Sequence, residues 1–412
     1  MSHAEEGATV HTSDAARAAH GGHGVHASGV VGGVAPPPLD PTAEILRVED
    51  LTVGFPTDDG MVNAVRGVSY VLHPREVLGI VGESGSGKSV ASMAVMGLLP
   101  RTAKIQGRVL FRGDDVLRMS PDQQRSLRGR KIGMIFQDAM TALNPVLTIG
   151  YQLSEAVRSH EHVSHTAALL RAQEMLDLVG IPQAKDRLRN YPHEFSGGMR
   201  QRAMIAMAVI NRPDVIFADE PTTALDVTVQ AQILDTLLEV KDEVDAAIVF
   251  ITHDLGVIAS VADRVLVMYA GKPVETAGVD EIFAEPRMPY SAGLLGSMPT
   301  VDLIGERLRP IQGTPPSLIN LPTGCPFRPR CPIAIDLCST LEPELVETDR
   351  RGHSAACHRW EDVAAYDDAT SMFRVEKGET VGLVAQDTED VELPGVRPEQ
   401  PGRDSATAGG PA

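Results

Sequence analysis

The sequence has 412 residues, 43% of them hydrophobic and 4% aromatic, which is room for one large and one smaller domain around a core of Val, Leu, Ile, Met and Ala. Its formal charge is −18, and residues 361–412 hold 12 acidic against 4 basic side chains, so no basic face is advertised and nucleic acid is not an expected partner. No stretch approaches the roughly 18 apolar residues of a spanning helix, and the start at Met1 has neither a basic leader nor an apolar segment, which predicts an unsecreted chain.

Residues 1–44 are rich in Ala, Gly, His and Pro without periodic apolar positions and read as a disordered arm. From Ile45 the alternation Leu46–Phe55 predicts a strand, and Gly67–Leu72 another. Phe55 lies 27 positions before Gly82, where an aromatic ring can stack on a purine or pack into the core. The apolar run Val77–Val81 then leads into Gly82-Glu83-Ser84-Gly85-Ser86-Gly87-Lys88-Ser89, the phosphate-loop pattern G-x-x-x-x-G-K-[ST]. A buried strand, a glycine-rich turn and a helix start aim backbone N–H groups at a polyphosphate. Lys88 reaches the β and γ phosphates and the Ser89 hydroxyl ligands Mg²⁺, so the sequence predicts a nucleotide site.

Beyond it, Val90–Leu99 reads as a helix buried on most sides and stopped by Pro100, and Gly107–Gly113 as an edge strand. Lys131–Gln137 is a strand ending in an amide that can turn toward Mg²⁺ or water. Residues 141–195 read as a helical insertion, with Leu169, Ala172, Leu176 and Val179 on one face and Gly180 and Pro182 as stop signals. The insertion ends at Phe195-Ser196-Gly197-Gly198-Met199-Arg200-Gln201-Arg202. There Ser196, Gly197 and Gly198 open a helix running to about Ile210, a second anion-binding turn by the same dipole and N–H argument.

The apolar strand Val215–Ala218 carries Asp219 and Glu220 at its carboxyl end, where open α/β sheets hold ligands. Asp219 is placed to contact Mg²⁺ through water, and Glu220 to orient and polarise an attacking water. Ala224-Leu225-Asp226 follows in a turn, and Val229–Val240 is an amphipathic helix. The strand Ala247–Thr252 ends at His253, which can hydrogen-bond a γ-phosphate. Val265–Tyr269 completes a series of strands alternating with helices, which implies a largely parallel sheet covered on both faces.

In this order the residues resemble the ATP-binding subunits of ABC transporters over about residues 45–360. Gly82–Ser89 matches the Walker A loop, Gln137 the Q-loop, Phe195–Met199 the family signature, Val215–Asp219 with Glu220 the Walker B strand and catalytic glutamate, Ala224–Asp226 the D-loop and His253 the H-loop. Phe55 stands where the family stacks adenine. The signature reads Phe-Ser-Gly-Gly-Met instead of the commoner Leu-Ser-Gly-Gly-Gln, so Met199 lacks the usual polar side chain. That departure, with Gln201-Arg202, Pro289–Leu295, Gly313-Thr314-Pro315-Pro316 and Gly324–Cys331, looks like the oligopeptide/dipeptide and nickel importer branch.

The resemblance implies an α/β fold: an ABC-type nucleotide-binding domain over 45–285, with a phosphate-loop parallel-sheet core, an antiparallel β subdomain and a helical subdomain at about 141–210. A small cysteine-bearing domain over 286–360 and an acidic tail over 361–412 follow. It also implies a head-to-tail pair of ATPase subunits, identical or different, each ATP held between Lys88's loop on one and the Ser196 turn on the other. Two transmembrane permease subunits and an extracytoplasmic substrate-binding protein complete the expected assembly, which places this chain on the cytoplasmic face of the membrane as a peripheral subunit importing peptides, or nickel or another solute. A soluble ABC ATPase acting on DNA or ribosomes usually shows two ATPase units or a long coiled-coil insertion, and neither is present; a metal–sulfur sensing protein regulated by ATP is the third reading.

Cys325, Cys331, Cys338 and Cys357 have spacings x5, x6 and x18, with His353 and His358 beside the last. In a reducing compartment they read as metal ligands or free thiols, not a disulfide framework. Four thiolates suit tetrahedral Zn²⁺ or a [4Fe–4S] cluster, although neither the paired zinc spacing nor the compact ferredoxin run is present. The branch resemblance favours the cluster, as a structural clasp. In the tail, Val375–Val384 echoes the strand before the phosphate loop without a glycine-rich loop after it, and reads as a short extra strand or a chance match, with a remnant of a second ATPase unit, unable to bind phosphate, as the alternative.

Overall fold

The strands, in chain order, are β1 (Leu46–Thr57), β2 (Gly60–Leu72), β3 (Val77–Val81), β4 (Lys104–Phe111), β5 (Asp114–Asp115), β6 (Ile132–Ile135), β7 (Val215–Asp219), β8 (Ala247–Thr252), β9 (Arg264–Tyr269), β10 (Lys272–Gly278), β11 (Val346–Glu347) and β12 (Ser354–Ala355). The computed structural model describes residues 43–298, apart from 59 and 224, and residues 310–373. Most of the expected N-terminal arm, the tail after Phe373 with its Val375–Val384 segment, and Ala224 lie outside the described residues.

Two sheets form. The first is antiparallel, in the order β2-β1-β4-β5; the second runs β11-β12-β10-β9-β3-β8-β7-β6, and its last five strands pair in parallel. β3, β7 and β8 are buried at every position. That is why they read as unbroken apolar runs, whereas β1, half-covered, alternates. β4 lies between β1 and the two-residue β5, so it is not the edge strand expected from its turns.

The helix Lys88–Val95 stops before Leu99. Gly97 adopts φ 62°, the Leu98 N–H reaches the Met93 carbonyl (2.9 Å) and the Gly97 N–H that of Ala94 (3.0 Å), so a left-handed glycine ends the helix ahead of Pro100. Between β6 and β7 lie the helices Ile149–Arg158, His165–Leu178, Ala184–Arg187 and Gly197–Val209. Leu153, Ala172 and Leu176 of this group share one buried cluster with Ile205, Ile216 and Phe250, so the helical segment packs onto the parallel sheet. No helix among the described residues is long and apolar enough to cross a membrane.

The cysteine-bearing region does not make the separate small domain expected. β12 pairs with β10 and β11 with β12, extending the large sheet, and Cys325, Phe327, Cys338 and Ala356 belong to the main core cluster. Between 310 and 345 the regular structure is confined to the 3-10 turns Arg328–Arg330 and Asp336–Ser339. So short a stretch cannot enclose a core of its own and leans on the sheet beside it.

Candidate functional site

The phosphate loop opens directly from buried β3. At Gly82 (φ 153°) a Cβ would stand 2.2 Å from the Met268 carbonyl oxygen, and at Gly87 (φ 98°) 2.3 Å from that of Ala64, so both turns require glycine. Lys88 begins the helix and folds back, donating from Nζ to the carbonyls of Gly82 (2.7 Å) and Glu83 (3.1 Å). Burial lowers its ammonium below the ordinary value, opposed by the carboxylates of Glu220, Asp219 and Glu83. Ser86 Oγ is buried without a hydrogen-bond partner, while Ser84 and Gly85 are exposed.

Ser89 Oγ donates to Asp219 Oδ1 at 2.9 Å, so the two side chains expected to share Mg²⁺ already meet. Burial raises the Asp219 carboxyl above the usual range; the Ser89 hydrogen bond and Lys88 oppose this, and Glu220 adds to it. Glu220 is the centre of the polar network. Its Oε2 accepts from Gln137 Nε2 (2.8 Å) and Thr223 Oγ1 (2.9 Å), and its Oε1 lies 3.0 Å from His253 Nδ1. Burial would raise this carboxyl, but the hydrogen bonds of His253 and Thr223, with the charge of Lys88, hold it below the usual range. The Glu220 backbone sits at φ 46°, a left-handed conformation uncommon outside glycine, anchored by its N–H on the Ile251 carbonyl (2.8 Å). Gln137, Glu220, Thr223 and His253 line one cavity of about 620 Å³ with the loop from Gly82 to Ser89.

The remaining nucleotide candidates lie elsewhere. Ser196 caps the helix Gly197–Val209, accepting from the Met199 N–H (3.3 Å), and Asp226 caps Val227–Val244, accepting from the Val229 N–H (2.9 Å). Neither they nor Gly197, Gly198 and Phe55 line the phosphate-loop cavity. Phe55 is partly buried against the cluster under the antiparallel sheet.

Sequence reasoning missed Thr223, Tyr290 and Arg330. The Glu83 N–H donates to Tyr290 Oη (2.8 Å), and Arg330 grips the Glu83 carboxylate with both terminal nitrogens (2.6 and 2.7 Å). The available signal was the acidic residue itself, since a carboxylate inside an anion-binding loop calls for a cation.

All four cysteines line one small pocket of about 20 Å³, room for about one water. Burial pushes the Cys331 thiol up to about 11 and Cys357 up to about 12. Among the described residues no three His, Cys, Asp or Glu side chains are disposed to hold a metal ion. The zinc and cluster expectations therefore find no preformed ligand set: the thiols are gathered into one pocket whose burial favours the protonated form, while backbone N–H groups such as that of Arg359, which donates to Cys357 Sγ (3.3 Å), favour the thiolate.

Residues 65–223 match the family model described as ABC transporter, and residues 274–338 the one described as the C-terminal region of oligopeptide/dipeptide transporters. The oligopeptide transport ATP-binding protein OppD of Mycobacterium bovis is 53% identical over 334 residues, 81% of this chain and 54% of the relative. This chain thus spans about half the length of that relative. The dipeptide transport ATP-binding protein DppD of Bacillus subtilis is 53% identical over 76% of this chain and 94% of the relative. A solved dimeric ATP-binding cassette in a post-hydrolysis state with ADP and Pi superposes with TM-score 0.51 and 25% identity, over 57% of this chain and 98% of its own.

Proposed function

The chain belongs to the ATP-binding subunits of ABC transporters, in their oligopeptide/dipeptide branch, and on that premise we propose that it hydrolyses ATP to energise the import of oligopeptides or dipeptides. The observation that carries the reading is the meeting of Gln137, Thr223 and His253 on Glu220, in one cavity with Lys88 and Ser89.

In this reading Lys88 exchanges the Gly82 and Glu83 carbonyls for phosphate oxygens, and the loop's N–H groups and the helix N-terminus hold the polyphosphate. Ser89, Asp219 and Gln137 would hold Mg²⁺, which would supply charge compensation to the phosphates. Glu220, kept ionised by His253, Thr223 and Lys88, accepts a hydrogen bond from the attacking water, and His253 steadies the carboxylate or the γ-phosphate. Phe55 stacks on the adenine.

Ser196, Gly197, Gly198 and Asp226 lie outside this chain's own phosphate-loop cavity. That separation supports a head-to-tail pair in which they complete the nucleotide site of a second ATPase subunit. Closure of the pair around ATP and its reopening after hydrolysis drive two permease subunits between inward- and outward-facing states, with an external binding protein delivering the peptide. Phe136 and Met140, 41% and 52% exposed on either side of Gln137, leave apolar surface next to the site for a membrane subunit. The chain then sits at the cytoplasmic face of the membrane. We also propose that Cys325, Cys331, Cys338 and Cys357 ligate a [4Fe–4S] clasp, a reading supported by their common pocket.

The test is to express the chain with its permease neighbours, isolate the complex from detergent-solubilised membranes, and measure ATP-dependent peptide uptake in reconstituted vesicles. Uptake that depends on this chain and on hydrolysable ATP is expected. A purified complex that hydrolyses ATP but moves no peptide refutes the substrate class.

A further inference from the structure

Glu83 is the second residue of the phosphate loop, and its carboxylate places negative charge beside a site meant for a triphosphate. Each of its polar groups is engaged. The N–H donates to Tyr290 Oη (2.8 Å), the carbonyl accepts from Lys88 Nζ (3.1 Å), and the carboxylate accepts from Arg330 Nη1 (2.6 Å) and Nη2 (2.7 Å). Arg330 is itself held on every side. Its side chain is 4% exposed, Nε donates to the Gln312 carbonyl (3.0 Å), Nη1 also donates to Tyr269 Oη (3.3 Å), and the guanidinium lies 5.9 and 5.8 Å from the ring centres of Tyr269 and Phe327. Tyr269, Tyr290 and Phe327 pack on one another with centroids 4.6–5.4 Å apart. Arg330 ends the 3-10 turn between Cys325 and Cys331, so a residue 247 positions away is delivered to the loop by the cysteine-bearing segment.

We propose that Arg330 is a positioning residue for ATP binding: it neutralises Glu83 and fixes the Glu83 peptide from which Lys88 is released, so the segment around the cysteines sets the nucleotide affinity of the phosphate loop. The inference rests on the ATPase reading above. An unpaired Glu83 would repel the triphosphate and compete for Lys88, whereas a bidentate guanidinium removes both effects and holds the loop in one geometry. The Gly82 end of the same loop continues from β3 and its Lys88 end opens the helix Lys88–Val95, so Tyr290 and Arg330 add a further anchor at Glu83 between the two.

The experiment is nucleotide binding by the full chain, read with a fluorescent ATP analogue, beside steady-state ATPase kinetics and thermal unfolding. Arg330→Ala is expected to weaken ATP binding and raise KM at least ~10-fold, a larger change than in kcat. Arg330→Lys is expected to lose roughly 2–3-fold, because it keeps the charge and gives up the fork. Glu83→Gln in the Arg330→Ala background is expected to recover most of the loss, since no carboxylate then needs a partner. A folded Arg330→Ala that binds ATP within about twofold of the parent overturns the proposal, as does a double variant no better than Arg330→Ala alone. Should Arg330→Ala not fold, Glu83→Gln by itself decides: with Arg330 then unopposed near the phosphates, binding tighter than the parent supports the proposal and binding equal to or weaker than the parent overturns it. A parent chain that binds no ATP sinks the ATPase reading and this inference together, while ATP binding indifferent to Arg330 sinks only the inference.

Discussion

Gln137 Nε2 donates to Glu220 Oε2 at 2.8 Å although 83 residues separate the two in sequence. With Thr223 on the same oxygen and His253 on the other, a single carboxylate collects the ends of β6, β7 and β8. Replacing it by an isosteric amide keeps the shape and removes the charge. Glu220→Gln is expected to bind ATP like the parent and to turn over at least roughly a hundredfold more slowly. Near-parent turnover would remove Glu220 from the water-activating role.

Loss of the His253 partner is expected to change the pH dependence in a fixed direction. Burial pushes the Glu220 carboxyl up, and the His253 and Thr223 hydrogen bonds hold it below the usual range. In His253→Ala the upward push is less opposed, so the acidic limb of the kcat profile moves to higher pH and turnover falls roughly 10–100-fold. The same depressed carboxyl stabilises the folded chain above its unfolded pKa, a contribution lost as pH falls through the folded value. An acidic limb that stays in place would detach His253 from Glu220.

Asp219 has the opposite sign. Burial raises its folded pKa, so its ionised form costs stability that is felt as pH rises through the ordinary carboxylate range and above. Asp219→Asn removes that cost and keeps an oxygen for the Ser89 hydroxyl. The empty variant is expected to melt about 2–4 °C higher than the parent, while Mg-ATP no longer adds further stability. Thermal unfolding with and without Mg-ATP reads both effects, and a variant less stable when empty contradicts the sign.

In the proposed head-to-tail pair, Lys88→Ala and Ser196→Arg damage different halves of a shared site. Lys88→Ala is expected to lose ATP binding, whereas Ser196→Arg is expected to keep binding and lose hydrolysis, since in that arrangement Ser196 would serve the partner's nucleotide. Mixing the two variants reconstitutes one intact site per pair if the chain pairs with itself. Recovered ATPase activity then identifies self-pairing, and none identifies a different partner chain. Hydrolysis by Ser196→Arg alone at the parent rate would dismiss the head-to-tail arrangement.

The cysteine pocket gives a compositional prediction. Anaerobically purified protein is expected to carry about four iron and four sulfide per chain, with replacement of the four cysteines by serine abolishing both. A colourless sample with stoichiometric zinc overturns the cluster, and metal-free protein with four free thiols overturns any metal. Because Arg330 adjoins Cys331, the serine variant is also expected to weaken ATP binding in the direction of Arg330→Ala.

What the sequence determined by itself was everything written in short contiguous runs. Buried β3, β7 and β8 are apolar runs of four or five residues, the last two ending in Asp219 and Thr252, the phosphate loop is a fixed spacing of glycines, and Asp219 and Glu220 stand at the end of a strand whose burial is legible from its composition. Local rules suffice there, because backbone sterics and side-chain period act over a few residues. Tertiary structure alone decided which distant groups meet: Gln137, Thr223 and His253 on one carboxylate, Arg330 on Glu83, four cysteines in a pocket of the main core, and β11 and β12 as an extension of the large sheet. None of these has a signature in spacing. A buried charge takes whatever partner the fold brings within hydrogen-bonding reach, and the order of strands in a sheet, not their order in the chain, sets which residues those are.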